Sequence, residues 1–265
     1  AADLVVPSDP AAAADRLITA ERKIRDPSVS DGDAGLWGHV QQRVYRALAN
    51  DEVLANAVLG SIPPELKPAV EKCLFGTREI ALTVTKPKTD LPDWRIVPAR
   101  PIGELKGFYE ASAARHGVPW TALASVHLNE TRTGRLRGTS PAGAKGPMQF
   151  MPATWAEFGL GGDIEKEQDA IEGAANYLAK SGWATDKRKA IWAYNHSDHY
   201  INAILAFMEV MDAEPAAHRG LWGWQVYYRT ASGSIWLEEG YEQHERIPIS
   251  QYCEGKGEPY CPKIH

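Results

Sequence analysis

The sequence predicts a mainly α-helical protein with a small β-hairpin and loop appendage towards its C-terminus. Apolar residues recur every three or four positions through most of residues 36–211, which is the spacing of amphipathic helices. Glycine and proline interrupt this spacing repeatedly, so the helices are predicted to be short and joined by loops. Residues 225–237 are instead aromatic and β-favouring, and this change of pattern predicts the hairpin.

The composition is that of an ordinary folded protein. The 265 residues are 44% hydrophobic and 24% charged, enough to bury a sizeable core in one or two domains. The formal net charge of −5 argues against a nucleic-acid binder. The best apolar run, residues 201–211, is shorter than the roughly 18 residues of a membrane span and contains Glu209, so no transmembrane segment is predicted.

The N-terminal part is predicted to hold two helical segments and a connector. Residues 1–35 are rich in Ala, Asp and Ser and predict a partly ordered segment with one short helix over 10–25. Residues 36–85 predict a small subdomain of short amphipathic helices, broken at 50–51 and 61–64. Prolines recur through residues 86–103, Pro87 among them, and predict an extended connector.

The rest of the chain is predicted to form a compact helical domain and an appendage. Residues 104–213 are helical in pattern, with breaks that include the glycine-rich run 134–146. Residues 214–265 predict an aromatic-rich appendage, in which a turn at 231–234 that includes Ser232 returns the chain as the second strand of the hairpin.

Two of the cysteines lie close together near the C-terminus. Cys253 and Cys261 flank a stretch with glycine and proline, where a turn brings them within bridging distance. We favour a disulfide over two free thiols, and a disulfide indicates an oxidising compartment. Zinc is disfavoured because His244 and His265 lack the usual paired spacing.

Glu130 is the first candidate for chemistry. It follows Leu123 and Val126 on the same apolar helical stripe, where desolvation and the helix C-terminus both raise the pKa of a carboxyl group. The alternative is a surface glutamate paired with Arg132 or Arg135. The glycine-rich loop 131–147 that follows is longer than most connections between helices in a compact domain, and such long loops usually bind a ligand.

Motifs in four segments follow in order along residues 121–211. They are Glu-Thr-Arg-Thr-Gly at 130–134, the Ser-Pro-Ala-Gly-Ala-Lys-Gly-Pro-Met-Gln-Phe-Met-Pro run at 140–152, residues 169–183, and Ala-Tyr-Asn at 193–195. Together they resemble the lytic transglycosylases, which share a fold with goose-type lysozyme and cleave the glycan of bacterial peptidoglycan. The resemblance implies a lysozyme-like catalytic domain over 104–213.

The resemblance also implies roles for individual residues. Glu130 is the catalytic acid and base, and Tyr194 positions the carboxyl group or the substrate. Asn195 supports the wall of the site. Further substrate-binding residues are implied in the second and third segments: Ser140, Gln149, Met151 and Tyr177. Thr131 after the glutamate is similar to the membrane-bound B-type branch, whereas His196-Ser197 departs from the Ala-Gly of the soluble branch, so the branch stays unassigned.

The mechanism implied is transglycosylation with a single carboxylate. Glu130 protonates the glycosidic oxygen between N-acetylmuramic acid and N-acetylglucosamine, and a 1,6-anhydro end forms. Residues 131–156 contain no acidic residue, whereas hydrolysing relatives place one there. Two alternatives stay open: a hydrolytic muramidase that uses an acidic residue of 163–169, and a non-catalytic peptidoglycan-binding relative.

The remaining expectations concern ligands and location. His196, Asp198 and His199 suit a helix N-terminus better than a metal site, so neither metal nor cofactor is expected. The basic residues of the loop, among them Lys145, either form its solvated rim or meet carboxylates of the substrate. The expected partner is the glycan of peptidoglycan, and the expected location is extracytoplasmic in a bacterium. The chain begins without Met or an apolar leader, so any export signal is expected to have been removed or not included.

Overall fold

The computed structural model describes residues 4–86, 88–231 and 233–262. Pro87, Ser232 and His265, each of which entered a sequence-based prediction, lie outside the described residues. The described chain is mainly α-helical with short strand pairs, so the predicted fold class is confirmed. No helix in these ranges is long and apolar enough to cross a membrane.

The helices follow the predicted pattern closely, and their bounds are best given together. They are α1 Pro10–Arg25, α2 Asp31–Asn50, α3 Glu52–Ser61, α4 Lys67–Leu82, α5 Ile102–His116, α6 Trp120–Thr131, α7 Pro152–Phe158, α8 Glu167–Lys180, α9 Lys187–Tyr194, α10 Asp198–Ala213, α11 His218–Trp222 and α12 Ile249–Cys253. The strands are β1 Asp90–Leu91, β2 Arg95–Ile96, β3 Leu136–Arg137, β4 Val226–Thr230, β5 Gly233–Leu237 and β6 Ile247–Pro248.

The chain divides into two compact units that are not continuous in sequence. The first combines residues 1–83 with 202–224, and the second combines 84–201 with 225–265. The second unit thus holds α5 to α9, the first residues of α10 and most of the predicted appendage. The linear domain boundaries drawn from the sequence differ from this division and stay a prediction.

The first unit is a helical assembly with side-chain caps at its helix starts. Asp9, Ser30 and Asp51 each accept a hydrogen bond from a backbone amide in the first turn of α1, α2 and α3. The cap at Ser30 explains why α2 begins before residue 36, where the apolar pattern starts. Cys73 is a free cysteine, buried in α4 beside Val70 and Leu74.

The second unit joins its helices to a small layer of strands. β4 and β5 form the predicted hairpin, while β2 pairs antiparallel with β3 in the loop after Glu130. The hairpin packs with the connector around a shared core: Leu91, Ile96, Val226, Ile235, Leu237, Tyr241, Ile247, Ile249 and Cys261. Cys253 and Cys261 form the predicted disulfide beside that core. The appendage and the connector therefore support the loop of the candidate site.

Candidate active site

Glu130 lies in the last turn of α6, at the end of a buried row. Leu123, Val126 and His127 on the same face are fully buried, and the His127 Nδ1 atom lies 2.8 Å from the Tyr109 hydroxyl. Glu130 itself is half-buried. Glu130 thus lies at the end of the apolar stripe of α6, as its spacing from Leu123 and Val126 predicts, and its carboxyl group is partly exposed.

Tyr200 is the hydrogen-bond partner of this carboxyl group. Its buried hydroxyl donates to Oε1 of Glu130. Burial raises the pKa of Glu130 to about 7, although the Tyr200 hydrogen bond and the positive charge of Arg132 both act to lower it. At neutral pH the carboxyl group is therefore poised between its protonated and ionised forms, which is the range a general acid and base requires.

Tyr194 lies near Glu130 but bonds elsewhere. Its hydroxyl donates to the Met148 carbonyl at 2.6 Å, and burial together with the Glu130 charge raises its pKa well above the usual value. The Tyr177 hydroxyl donates to the Ala193 carbonyl at 2.7 Å. The two tyrosine rings pack 5.6 Å apart within an aromatic cluster that also contains Phe150, Trp155 and Phe158. This cluster joins α7, α8 and α9 to the loop that carries the predicted sugar-binding residues.

That loop is tightly folded. The Ser140 Oγ atom accepts a hydrogen bond from the Ala144 amide at 3.0 Å, and the Gln149 side chain donates to the Gly146 carbonyl at 3.0 Å. Gly146 adopts a φ of +71°, and a Cβ there would lie 1.9 Å from the Ile164 carbonyl oxygen. Only glycine fits so close to another backbone segment. Gln149 also has a positive φ, of +50°.

The remaining predicted substrate-binding residues lie on the surface. Met151 is 43% exposed just before α7, and Asn195 is exposed immediately after α9. Among the described residues, no hydrogen bond joins Glu130 to Ser140, Gln149, Met151 or Asn195. The structure therefore brings Glu130 together with Tyr200 and Tyr194, while the other residues line the neighbouring loop and helix end.

A second carboxylate, Glu167, is buried beneath the loop. It forms ion pairs with Arg100, at 3.0 Å, and with Arg137 of β3. These arginines hold its pKa below the usual range even though burial alone raises it. The ion pair between Glu167, the first residue of α8, and Arg137 thus links α8 to β3.

Sequence reasoning missed two contributors to the site, Tyr200 and Arg100, and considered Glu167 only as a second carboxylate for a hydrolase. Tyr200 lies one turn before Ala203 and Ile204 on the buried face of α10, and that helical spacing was the available signal. Glu167 and Arg100 are far apart in sequence, and no local pattern pairs them. The basic residues of the loop, by contrast, were singled out but not distinguished from one another.

The histidine cluster after α9 is a helix start in the structure. The Tyr200 amide donates to the Ser197 Oγ atom at 3.3 Å, and His196 packs against the Trp192 ring at 5.5 Å. Across the described ranges, no group of three or more His, Cys, Asp or Glu side chains is arranged to hold a metal ion.

The fold and the site together define a mainly helical, lysozyme-like domain with a half-buried glutamate at the end of a core helix. Residues 119–191 match the family model described as Transglycosylase SLT domain. The match confirms the predicted resemblance to lytic transglycosylases over this segment, which is a little more than a quarter of the chain. No curated protein and no solved structure matches the sequence.

Proposed function

We propose that the protein is a lytic transglycosylase that cleaves the β-1,4 bond between N-acetylmuramic acid and N-acetylglucosamine in peptidoglycan. The observation that carries the proposal is the Glu130 carboxyl group, half-buried and with a pKa of about 7. The transglycosylase family match over 119–191 supports the substrate class. Action on peptidoglycan implies an extracytoplasmic location in a bacterium, and the Cys253–Cys261 disulfide suits an oxidising compartment.

In the first step, Glu130 acts as a general acid. Because Tyr200 donates to Oε1, Oε2 carries the proton and gives it to the glycosidic oxygen as the bond to C1 breaks. The N-acetyl carbonyl oxygen of the muramic residue bonds to C1 and stabilises the positive charge that develops there. The N-acetylglucosamine chain leaves with the proton, and Glu130 is left ionised.

In the second step, Glu130 acts as a general base. Its carboxylate takes the proton of the 6-hydroxyl group of the same muramic residue, and that oxygen attacks C1 and displaces the N-acetyl oxygen. The product is a 1,6-anhydro end, and Glu130 is protonated again. Tyr194 and Asn195 position the muramic residue in this proposal, with Ser140, Gln149, Met151 and Tyr177 as further sugar contacts.

The alternative of a hydrolase requires a second carboxylate to activate water. Three of the four acidic residues at 163–169 have other partners for their carboxylates: Glu167 is held by two arginines, and Asp169 accepts a hydrogen bond from the Asp163 amide at 2.9 Å. The Glu165 amide in turn donates to Asp163 at 3.0 Å. These engagements support a mechanism that uses Glu130 alone.

Mass spectrometry of the fragments released from purified peptidoglycan tests the proposal. We expect 1,6-anhydro ends from the wild type and a loss of at least about a hundredfold in rate for Glu130→Gln, which cannot donate a proton. The matched control is Glu172→Gln, which removes a carboxylate of α8 that pairs with Arg115. Reducing ends instead of anhydro ends would indicate the hydrolase. Equal activity of the wild type and Glu130→Gln would remove Glu130 from the mechanism, and binding without any cleavage would indicate a glycan-binding relative.

A further inference from the structure

The four basic residues of the loop after Glu130 have different surroundings. Arg135 is buried, donates to Thr133 at 3.0 Å and lies 3.8 Å from Glu239. Arg137 pairs with Glu167, and Lys145 is exposed to solvent. Two of the four are therefore held by carboxylates within the protein, and one is hydrated.

Arg132 is the fourth, and it lies beside the candidate acid. It ends α6 in the left-handed conformation, with a φ of +53°, and is half-buried. Its side chain folds back along the helix, so that Nη1 donates to the Leu128 carbonyl. Among the described residues, that carbonyl is the one acceptor of the Arg132 side chain, although a guanidinium has five N–H donors.

The charge of Arg132 is balanced only while Glu130 is ionised. In the described part of the chain, Glu130 is the one carboxylate whose charge acts on Arg132. Burial lowers the pKa of Arg132 to about 10, so the group stays positive at neutral pH. In the proposed mechanism Glu130 starts protonated, which leaves a half-buried guanidinium without an anion. Such a charge is costly unless a ligand supplies a partner.

The substrate class of the proposed function offers one carboxyl group close to the reacting bond. Muramic acid carries a lactyl ether on the same ring whose C1 bond is cleaved. Where a peptide stem is attached, the lactyl carboxyl is part of a neutral amide. Where the stem has been removed, it is a free carboxylate, which a guanidinium binds through two parallel hydrogen bonds. Carboxylates of the stem itself lie further from the sugar ring.

We infer that Arg132 forms an anion subsite beside Glu130 that binds the free lactyl carboxylate of muramic acid and makes peptide-free glycan the preferred substrate. The inference rests on the proposed function. It also places the enzyme after a reaction that hydrolyses the amide between the lactyl group and the peptide stem, because that class of reaction creates the carboxylate.

The test compares kcat/KM on three substrates: peptide-free glycan strands, peptide-bearing strands and chitin oligosaccharides, which carry no carboxylate. We expect the wild type to cleave peptide-free strands at least about tenfold better than peptide-bearing ones. Arg132→Gln should lose that preference through a loss on peptide-free strands that exceeds any change on peptide-bearing strands, because loss of the charge also raises the pKa of Glu130 for both substrates. Arg132→Lys should retain part of the preference, since a charge remains without the planar fork. Lys180→Gln, which removes an exposed positive charge from α8, should leave the preference intact.

Each outcome of this comparison is decisive. Equal losses by Arg132→Gln on both kinds of strand, or a wild-type preference for peptide-bearing strands, would overturn the assignment of Arg132 to the lactyl carboxylate but leave the proposed function standing. A preference for peptide-bearing strands that Arg132→Gln abolishes would assign the arginine to a stem carboxylate instead. Failure of the wild type to cleave any strand would overturn the proposed function itself. A thermal melt of each variant separates loss of binding from loss of folding.

Discussion

The hydroxyl group of Tyr200, in the first turn of α10, donates a hydrogen bond to Oε1 of Glu130, in the last turn of α6. This bond favours the ionised carboxyl group and so lowers its pKa, against the larger effect of burial, which raises it. The acid strength of Glu130 is thus set by two opposing features of its surroundings, and each can be changed separately.

Tyr200→Phe should therefore move the pH dependence of activity. The variant loses the hydrogen bond that favours the ionised form, so the pKa of Glu130 rises from about 7. We expect the alkaline limb of the kcat/KM profile to shift upward by about half to one pH unit. The measurement is a profile from pH 5 to pH 9. Tyr177→Phe is the matched control, because that hydroxyl bonds to the Ala193 carbonyl; an equal shift in both variants would argue against the Tyr200 contact.

Glu130→Gln should be more stable than the wild type, in a pH-dependent way. The folded-state pKa of Glu130, about 7, lies above its ordinary value of 4.5, so the folded state favours the protonated form. Stability from this group is present below pH 4.5 and is lost as the pH rises through 7. The Tm advantage of Glu130→Gln should be small at pH 4.5 and largest at pH 8. A constant difference at both pH values would contradict the raised pKa.

Glu167→Gln should destabilise the protein with the opposite pH dependence. The two arginines hold the pKa of Glu167 below its usual range, so its contribution is present above the unfolded pKa and is lost as the pH falls through the folded one. We expect the free energy of unfolding to fall by about 1–3 kcal/mol at pH 7, because removal of the buried carboxylate leaves Arg137 without its partner. Denaturant unfolding measures it. Glu172→Gln on the same helix, whose partner Arg115 is 52% exposed, should lose under about 1 kcal/mol.

Gly146→Ala should be far more damaging than Gly143→Ala. Both glycines have positive φ, +71° and +93°, so each substitution costs about 1 kcal/mol from backbone strain. At Gly146 the new Cβ also meets the Ile164 carbonyl, whereas at Gly143 nothing lies within 4 Å. We expect Gly146→Ala to lose about 3 kcal/mol or more and most of its activity. Equal Tm values for the two variants would mean that the loop moves away from residue 164 without cost.

The helices could be predicted from the sequence because their signals are local. α1 spans residues 10–25 as predicted, since Asp9 and Pro10 mark its start and the apolar positions repeat within it. Glu130 was found for the same reason, because its place on the stripe of α6 depends only on residues within two turns. The hairpin was likewise marked by its own turn and strands.

The supports of the site could not be predicted, because they join distant parts of the chain. β2 pairs with β3 across some 40 residues, and Glu167 meets Arg100 from 67 residues away. β2 and β3 have two residues each, too few for the alternation of apolar and polar residues that predicts a strand from sequence. Tyr200 was overlooked because the family motif ends at Asn195, although the helix that carries Tyr200 was itself predicted.

The pairing of β2 with β3 bears on which fragment of the chain can fold. The segment recognised as a transglycosylase domain, 119–191, contains β3 but neither β2 nor Arg100, and it ends before Tyr200. A protein trimmed to that segment would lose three supports of the candidate site. These are β2, which pairs with β3 of the loop after Glu130, Arg100, which is one of the two arginines that pair with Glu167, and Tyr200, which donates a hydrogen bond to Glu130. We therefore expect the smallest fragment that folds with the proposed site intact to include the connector and the start of α10.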